Sequence, residues 1–313
     1  MFSGILEKST INTEENTTTF YYSQKIPVPT YLIAFVCGDL EFGKISSRCG
    51  VYTERGLLQK ALYEFAETEK FIKAAEEYIN PYIWGEYNIL VLPFAFAFGG
   101  MENPCLTFVN PALLAGDRSL TNVIAHEIAH SWTGNLVTNK NWTNFWMNEG
   151  FTTFLERKIS EICYGEDISN LEAQVGMIEL EHDMELMGKE HSFSSLNPDL
   201  KNVNIFYLFI INFQVDPNDA FSVVPYEKGY CLLKFIENLI GKKNFQLIFQ
   251  AYIEKFTKKS ICYQDYIEIF EGKIREIYKD EEKIQEIFGK IKWQEWIHKT
   301  GALIEKLDFR KFF

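Results

Sequence analysis

The segment His126-Glu127-Ile128-Ala129-His130 constrains this chain more than any other part of its sequence. Side chains four residues apart on an α-helix share one face and lie one turn apart. A helix here would therefore bring both imidazoles to one metal ion, and Glu127 could reach the water that such an ion activates. Zinc suits neutral imidazole ligands. The pattern predicts one zinc ion per chain, with His126 and His130 as ligands. The alternative is a pair of surface histidines beside an exposed glutamate.

Glu149 is the candidate for a third metal ligand. It lies in Trp146-Met147-Asn148-Glu149-Gly150, nineteen positions after His130, and opens the next predicted helix. A tight return between the two helices would aim its carboxylate at the histidines, which gives the His₂Glu set of catalytic zinc sites. Taken alone, a glutamate in a first helical turn is explained by its favourable interaction with the helix dipole. Beside the two histidines, the ligand interpretation is favoured.

The rest of the sequence predicts an α+β protein that is mainly helical. Alternating β-branched and aromatic residues between turn signals predict strands at Thr17–Tyr22, Tyr31–Cys37, Leu40–Ile45, Asn88–Leu92 and Leu106–Val109. Apolar residues three and four apart predict helices at Leu57–Ile79, Leu120–Gly134, Glu149–Ile162, Gly229–Ile240, Asn244–Phe256 and Tyr263–Tyr278. The stretch Lys279–Lys290 is typical of a solvated helix face, and Pro93–Asn103 is predicted to be a loop.

Two further motifs make the sequence resemble the gluzincin zinc aminopeptidases of peptidase family M1, most of all the leukotriene A(4) hydrolase branch. The segment Gly99-Gly100-Met101-Glu102-Asn103 matches the family's exopeptidase motif, and Pro225-Tyr226-Glu227-Lys228-Gly229 matches the segment that carries its catalytic tyrosine. Both motifs and the HExxH segment occur in the family's order. The resemblance covers nearly the whole chain.

The resemblance implies a fold and a division into domains. Residues 51–298 would form a thermolysin-like zinc metallopeptidase catalytic domain. Two or three strands cannot bury a face alone, so residues 1–50 are expected to be the C-terminal strands of an incomplete, β-sandwich-like N-terminal domain. Residues 299–313 would be a linker toward a C-terminal helical domain. On this expectation the chain is a truncated family member.

The resemblance also implies a role for each motif. Glu102 would hold the substrate's α-ammonium group by a charge-assisted hydrogen bond, and the backbone of Gly99–Met101 would approach the substrate. Glu127 would act as general base, and Tyr226 would donate a hydrogen bond to the developing oxyanion. Outside this context, Glu102 is equally explained as a solvated loop carboxylate and Tyr226 as a core aromatic residue. Trp132, Trp142 and Trp146 are expected to pack around the helix pair.

Three positions depart from the leukotriene A(4) hydrolase branch. Phe98 and Phe221 stand where the branch has tyrosines, and Asn218 aligns with an aspartate tied to epoxide hydrolysis. The expected function is therefore a zinc-dependent aminopeptidase that acts on short peptides with a free N-terminus. A bifunctional leukotriene A(4) epoxide hydrolase and aminopeptidase is the alternative. A zinc endopeptidase is disfavoured because an ammonium anchor selects free N-termini.

Charge and cysteine content bear on partners and location. The formal net charge of −12 repels nucleic acid backbones and anionic membranes, so neither is expected as a partner. Six dispersed cysteines without a CxxC pair predict buried free thiols, and the N-terminal residues lack a signal-peptide pattern. A cytoplasmic location is predicted. Large apolar faces before Gly50 and after Lys234 would be exposed without flanking domains. This leaves the alternative of a catalytically weak or inactive member that serves as an interaction module.

Overall fold

The computed structural model describes residues 1–198, 200, 222–305, 307 and 309. Two compact units make up the chain, Met1–Leu136 and Val137–Phe313. The substituted positions Asn218 and Phe221 lie outside the described residues. The domain boundaries predicted from the sequence stay a prediction.

The first unit combines two sheets with three helices. Its elements are β1 (Ile5–Asn12), β2 (Thr17–Ser23), β3 (Leu40–Lys44), β4 (Cys49–Glu54), α1 (Leu58–Glu64), α2 (Thr68–Tyr78), β5 (Tyr87–Val91), β6 (Gly100–Met101), β7 (Leu106–Val109) and α3 (Asn122–Ala129). Strands β1 and β2 form an antiparallel hairpin, and the other strands form one sheet in the order β3-β4-β5-β7-β6. The β4–β5 and β5–β7 pairs are parallel. Strand β6 pairs antiparallel with β7 and lies at an edge of this sheet.

Two predictions for the first unit are wrong. The alternating segment Tyr31–Cys37 is not a strand: residues Thr30–Leu32 form a 3₁₀ turn, and Phe35 makes only an isolated bridge to Phe2. Leu32 of this segment is buried in the core, but no neighbouring strand among the described residues forms a ladder of hydrogen bonds with it. The predicted helix Leu57–Ile79 is divided into α1 and α2. The hydroxyl of Thr68 donates to the carbonyl oxygen of Phe65 at 2.6 Å, which diverts that carbonyl from the helical ladder.

The second unit is built around one buried helix. Its elements are β8 (Val137–Asn139), α4 (Trp146–Tyr164), α5 (Glu166–Met187), a π-helical turn (Val224–Lys228), α6 (Gly229–Ile240), α7 (Lys242–Phe256), β9 (Lys259–Ile261), α8 (Tyr263–Ile277), α9 (Glu281–Ile291) and α10 (Trp293–His298). Helix α4 packs against α5, the π-helical turn and α6. Phe151 and Phe154 on α4 are fully buried among aromatic rings of α7. The predicted helices of this unit are confirmed, and Gly229–Ile240 matches to the residue.

Exposed apolar side chains are distributed differently from the prediction. Before residue 50 the expectation holds, since Ile11, Phe20 and Phe35 are more than half exposed. After Lys234 it is wrong: among the residues described there, Leu247 is the one large apolar side chain that is exposed. Helices α6 to α10 bury their apolar faces within the unit. Helix α5 instead carries the exposed side chains Ile168, Leu171, Val175, Ile178 and Leu186.

Among the described residues, no helix combines the length and the apolar character that a membrane span needs. All six cysteines are free thiols. Cys49, Cys105 and Cys231 are buried, whereas Cys37 is exposed. The prediction of buried thiols therefore holds for only part of the set.

Candidate metal centre

The two predicted metal-ligating histidines face each other at the C-terminal end of α3. Their Nε2 atoms are 3.1 Å apart, and the ring planes are inclined by 81°. His130 Nδ1 lies 2.9 Å from the carbonyl oxygen of Thr133. A carbonyl only accepts, so Nδ1 carries the proton and Nε2 keeps its lone pair. The fold thus fixes the tautomer in which His130 can bind a metal. Thr133 orients the ring of His130 through its backbone carbonyl group. No side-chain pattern in the sequence could have indicated this role.

The carboxylate of Glu127 lies against the backbone of β6. A Cβ atom at Gly100 would overlap this carboxylate, so no larger residue fits there without displacing Glu127. Glu102, Glu127 and His130 each offer a ligand atom, and the three atoms lie within 4.8 Å of one another. Glu127 and His130 are buried, at 5% and 2% exposure. The first unit therefore brings together four of the predicted site residues, Glu102, His126, Glu127 and His130, beside Gly100.

Hydrogen bonds fix the backbone of the Gly99–Asn103 segment. The amide of Asn135 donates to the carbonyl oxygen of Glu102 at 2.8 Å, and the amide of Asn103 donates to that of Leu32 at 3.1 Å. Gly99 accepts from the backbone N–H of Asn110 at 2.9 Å. Within the predicted loop Pro93–Asn103, Gly100–Met101 forms a short edge strand. Asn135 follows the HExxH segment by five positions, and no motif indicated a role for it.

Glu149 lies in the second unit, in the first turn of α4, and is 5% exposed. Its carbonyl oxygen accepts from the hydroxyl of Thr153 at 2.8 Å. The preceding residue, Asn148, accepts the backbone N–H of Asn139 on β8 at 2.8 Å. The start of α4 is therefore fixed to β8 next to Glu149. The helix begins three residues earlier than predicted, at Trp146.

Tyr226 lies in the π-helical turn that precedes α6, and its side chain is half-buried. Its ring packs edge-on against Phe145, with the centroids 6.2 Å apart. The residues that follow it are buried. Glu227 forms an ion pair with Arg157 on α4, and Lys228 donates to carbonyl oxygens of the same unit. The sequence motif did not indicate these partners.

A cavity of about 380 Å³ lies in the second unit next to this turn. Its lining includes Trp142, Phe145, Trp146, Leu196 and Pro225. Trp146 is fully buried, as predicted, whereas Trp142 is 53% exposed, so its predicted packing is only partial. Trp132 does pack in the first unit, where its indole N–H donates to Asn80 at 2.8 Å.

Comparisons with known proteins agree with these motifs. The model of the peptidase family M1 domain matches residues 63–296. The leukotriene A-4 hydrolase of Xenopus laevis is 44% identical over 289 residues, which cover 92% of this chain and 44% of that protein. Leucine aminopeptidase 2 of Neosartorya fischeri is 42% identical over 293 residues, which cover 93% of this chain and 45% of that protein. The chain thus spans less than half the length of these relatives.

Solved structures give the same result for the fold. A yeast LTA4 hydrolase in complex with bestatin superimposes with a TM-score of 0.86 at 39% identity, over 98% of this chain and 45% of the other. An M1 zinc metallopeptidase from Deinococcus radiodurans superimposes with a TM-score of 0.70 at 19% identity, over 98% of this chain and 61% of the other. The predicted thermolysin-like α+β fold is confirmed. The chain belongs to peptidase family M1.

Proposed function

We propose that this chain carries the catalytic machinery of a zinc-dependent aminopeptidase that removes N-terminal residues from short peptides. The observation that carries the proposal is the position of Glu127, between the paired imidazoles of α3 and the Gly100–Glu102 segment. This position supports the proposal because Glu127, the proposed general base, and Glu102, the proposed acceptor for the substrate's ammonium group, each offer an oxygen within 4.8 Å of the other.

The ligand set proposed for zinc is His126, His130 and Glu149. The two Nε2 atoms are 3.1 Å apart, close to the ~3.3 Å that tetrahedral zinc with Zn–N bonds of about 2.0–2.1 Å requires. The proton on His130 Nδ1 leaves the facing lone pair for a metal. Glu149 supplies a buried carboxylate on the first turn of α4. These residues would hold the zinc, whose Lewis acidity would polarise the scissile carbonyl and lower the pKa of a water molecule.

The chain's own residues supply the proton transfers of the proposed reaction. Glu127 accepts a proton from the attacking water and passes it to the leaving amine. Tyr226 donates a hydrogen bond to the oxyanion as the tetrahedral carbon forms. The role of Tyr226 is taken from its place in the family motif.

Substrate binding is proposed at β6. Glu102 accepts hydrogen bonds from the α-ammonium group, and charge assistance roughly doubles their strength. In the part of the chain that the structure describes, strand β6 pairs with β7 alone, so the backbone groups on its other side can pair with an extended peptide. This arrangement selects peptides with a free N-terminus.

The test uses fluorogenic alanyl and arginyl amides with the purified chain. We expect wild-type activity to fall by several orders of magnitude in Glu127→Gln, because general-base catalysis contributes about 10²–10⁴-fold. Chelation should abolish activity, and added Zn²⁺ should restore it. N-acetylated peptides serve as the control and should not be cleaved. Equal rates for wild type and Glu127→Gln would contradict the proposal.

A second candidate function is the hydrolysis of leukotriene A(4), which the 44% identity to a leukotriene A-4 hydrolase favours. The chain has phenylalanine at 98 and 221 and asparagine at 218, where that branch uses two hydroxyls and a carboxylate. We therefore expect no leukotriene B(4) from the purified chain. Its detection in a product assay would establish the second activity.

A further inference from the structure

We infer that Arg157 and Glu227 form a positioning pair that holds Tyr226 in place relative to helix α4. The inference rests on the role proposed for Tyr226. It assigns a function in catalysis to two residues that do not themselves touch the substrate.

The pair is a buried, bidentate ion pair. Arg157 Nη1 donates to Glu227 Oε2 at 2.8 Å, and Arg157 Nη2 donates to Glu227 Oε1 at 2.7 Å. The two side chains are only 6% and 9% exposed. A planar guanidinium that donates two parallel hydrogen bonds fixes both the distance and the orientation of a carboxylate. Glu227 is the residue directly after Tyr226, so fixing its side chain also fixes the turn that carries the tyrosine.

The surroundings leave the pair no room to shift. The guanidinium carbon of Arg157 lies 4.1 Å from the ring centroid of Tyr230 on α6. Arg157 Nη2 also contacts the carbonyl oxygen of Glu172 on α5 at 3.3 Å. A Cβ atom at Gly176 would overlap both members of the pair. Helices α4, α5 and α6 thus all contact the pair.

The neighbouring residue anchors the other end of the turn. Lys228 is fully buried, and its ammonium group donates to the carbonyl oxygens of Ser194, Lys299 and Gly301 at 2.7, 2.8 and 3.1 Å. Glu227 and Lys228 therefore hold the π-helical turn from two directions. Tyr226, directly before them, is left half-buried. The turn presents this one side chain and buries the next two.

Helix α4 connects the pair to the proposed metal ligand. Arg157 follows Glu149 by eight residues on the same continuous helix, which is about 12 Å along its axis. The ion pair therefore relates the position of Tyr226 to the helix that carries Glu149. A loss of this constraint would move the oxyanion donor.

A second ion pair on α4 provides a matched control. Lys158 contacts Glu237 on α6 at 2.6 Å, and the side chains are 7% and 1% exposed. This pair is as buried as the first and also begins on α4. Lys158 follows Arg157 in the sequence, but neither Lys158 nor Glu237 adjoins Glu149 or Tyr226. Its removal reports what loss of a buried ion pair does to the fold alone.

The experiment compares two neutral double variants, Arg157→Gln/Glu227→Gln and Lys158→Gln/Glu237→Gln. Neutralising both Arg157 and Glu227 avoids an uncompensated buried charge. In the control variant Lys234 loses its 2.7 Å contact with Glu237, so any effect of an unpaired charge on the fold appears in the control. We expect the first variant to lower kcat about 10–100-fold with KM nearly unchanged, since a displacement of about 1 Å can cost 10²-fold. The control should leave kcat within about threefold, because it removes no transition-state contact. Thermal unfolding establishes that both are folded at the assay temperature.

The same variants in a Tyr226→Phe background separate positioning from stability. If Arg157 and Glu227 act through Tyr226, neutralising them in this background should cost less than about threefold, because their effect is not additive with its loss. Equal losses in both backgrounds would overturn the inference while leaving the proposed function intact. Full activity of Tyr226→Phe alone would instead overturn the role of Tyr226 and the inference with it.

Arg157→Lys covers the case in which the neutral double variant does not fold. Lysine keeps the charge but loses the two-pronged donor geometry. We expect a folded protein with reduced kcat. A kcat equal to that of the wild type would overturn the inference.

Discussion

The contact between Gly150 and Gly229 offers a direct test of how this fold positions its functional groups. A Cβ atom built on Gly229 would lie 2.8 Å from the Cα atom of Gly150. Gly150 directly follows Glu149 on α4, and Gly229 comes three residues after Tyr226. The substitution Gly229→Ala therefore pushes apart the two segments that carry a proposed metal ligand and the proposed oxyanion donor.

The size of the effect follows from the geometry. Carbon atoms in contact are about 3.5–4.0 Å apart, so the backbones must separate by about 1 Å. Overpacking of this kind costs about 1–3 kcal/mol. At about 2–4 °C per kcal/mol, the melting temperature should fall by roughly 2–12 °C. Activity should fall further, by up to ~10²-fold in kcat, because a displacement of about 1 Å is enough to misalign a catalytic group.

The assay combines thermal unfolding with kcat on an alanyl amide. Gly272→Ala is the matched control, because a Cβ atom at this helical glycine of α8 meets nothing within 4 Å. Alanine should stabilise that helix by about 0.5–1 kcal/mol. A Gly229→Ala protein with wild-type melting temperature and kcat would refute the reasoning.

Three further predictions concern groups away from this contact. Burial and the charge of Glu156 raise the pKa of Glu172 from 4.5 to about 7. The stability that protonated Glu172 contributes is therefore fully present below pH 4.5 and is lost as the pH rises through 7. The loss is up to about 3 kcal/mol, and denaturant unfolding from pH 4.5 to 8 should show a flatter profile for Glu172→Gln. Glu64 is 1% exposed and accepts hydrogen bonds from the backbone N–H groups of Gly116 and Arg118 at 3.0 and 2.7 Å. Glu64→Ala should therefore lower the free energy of unfolding in urea by about 1–3 kcal/mol. An unchanged unfolding midpoint would contradict this. Asn135→Ala removes the buried donor to the Glu102 carbonyl. It should cost about 1–3 kcal/mol in urea unfolding and raise KM for peptide amides about tenfold, which steady-state kinetics would detect.

The fold was predictable wherever a local pattern decided it. Four helices of the second unit follow from apolar residues three and four apart, and Gly229–Ile240 matches to the residue, whereas helix α5 (Glu166–Met187) was not predicted. Prediction was wrong at Tyr31–Cys37, because alternation alone does not provide a strand with a partner. It was also wrong at Leu57–Ile79, where the side chain of Thr68 competes with the helical ladder. Both outcomes depend on contacts that periodicity does not encode.

The sequence by itself determined that the two candidate metal ligands of α3 lie on one face. Residues four apart on a helix must share a face, so the HExxH segment places His126 and His130 together wherever α3 packs. Their 3.1 Å separation is a consequence of local helical geometry. The order of the family motifs along the chain is likewise a property of the sequence alone.

Only the tertiary structure decided how groups distant in sequence meet. The fit of Glu127 against Gly100 joins residues 27 positions apart, and the Arg157–Glu227 pair joins residues 70 positions apart. Such contacts depend on how strands pair and helices pack, and many residues far from the site contribute to that packing. The sequence therefore specified which candidate side chains are present and which of them share a helix. The packing of each unit specified the distances between side chains that are far apart in the sequence.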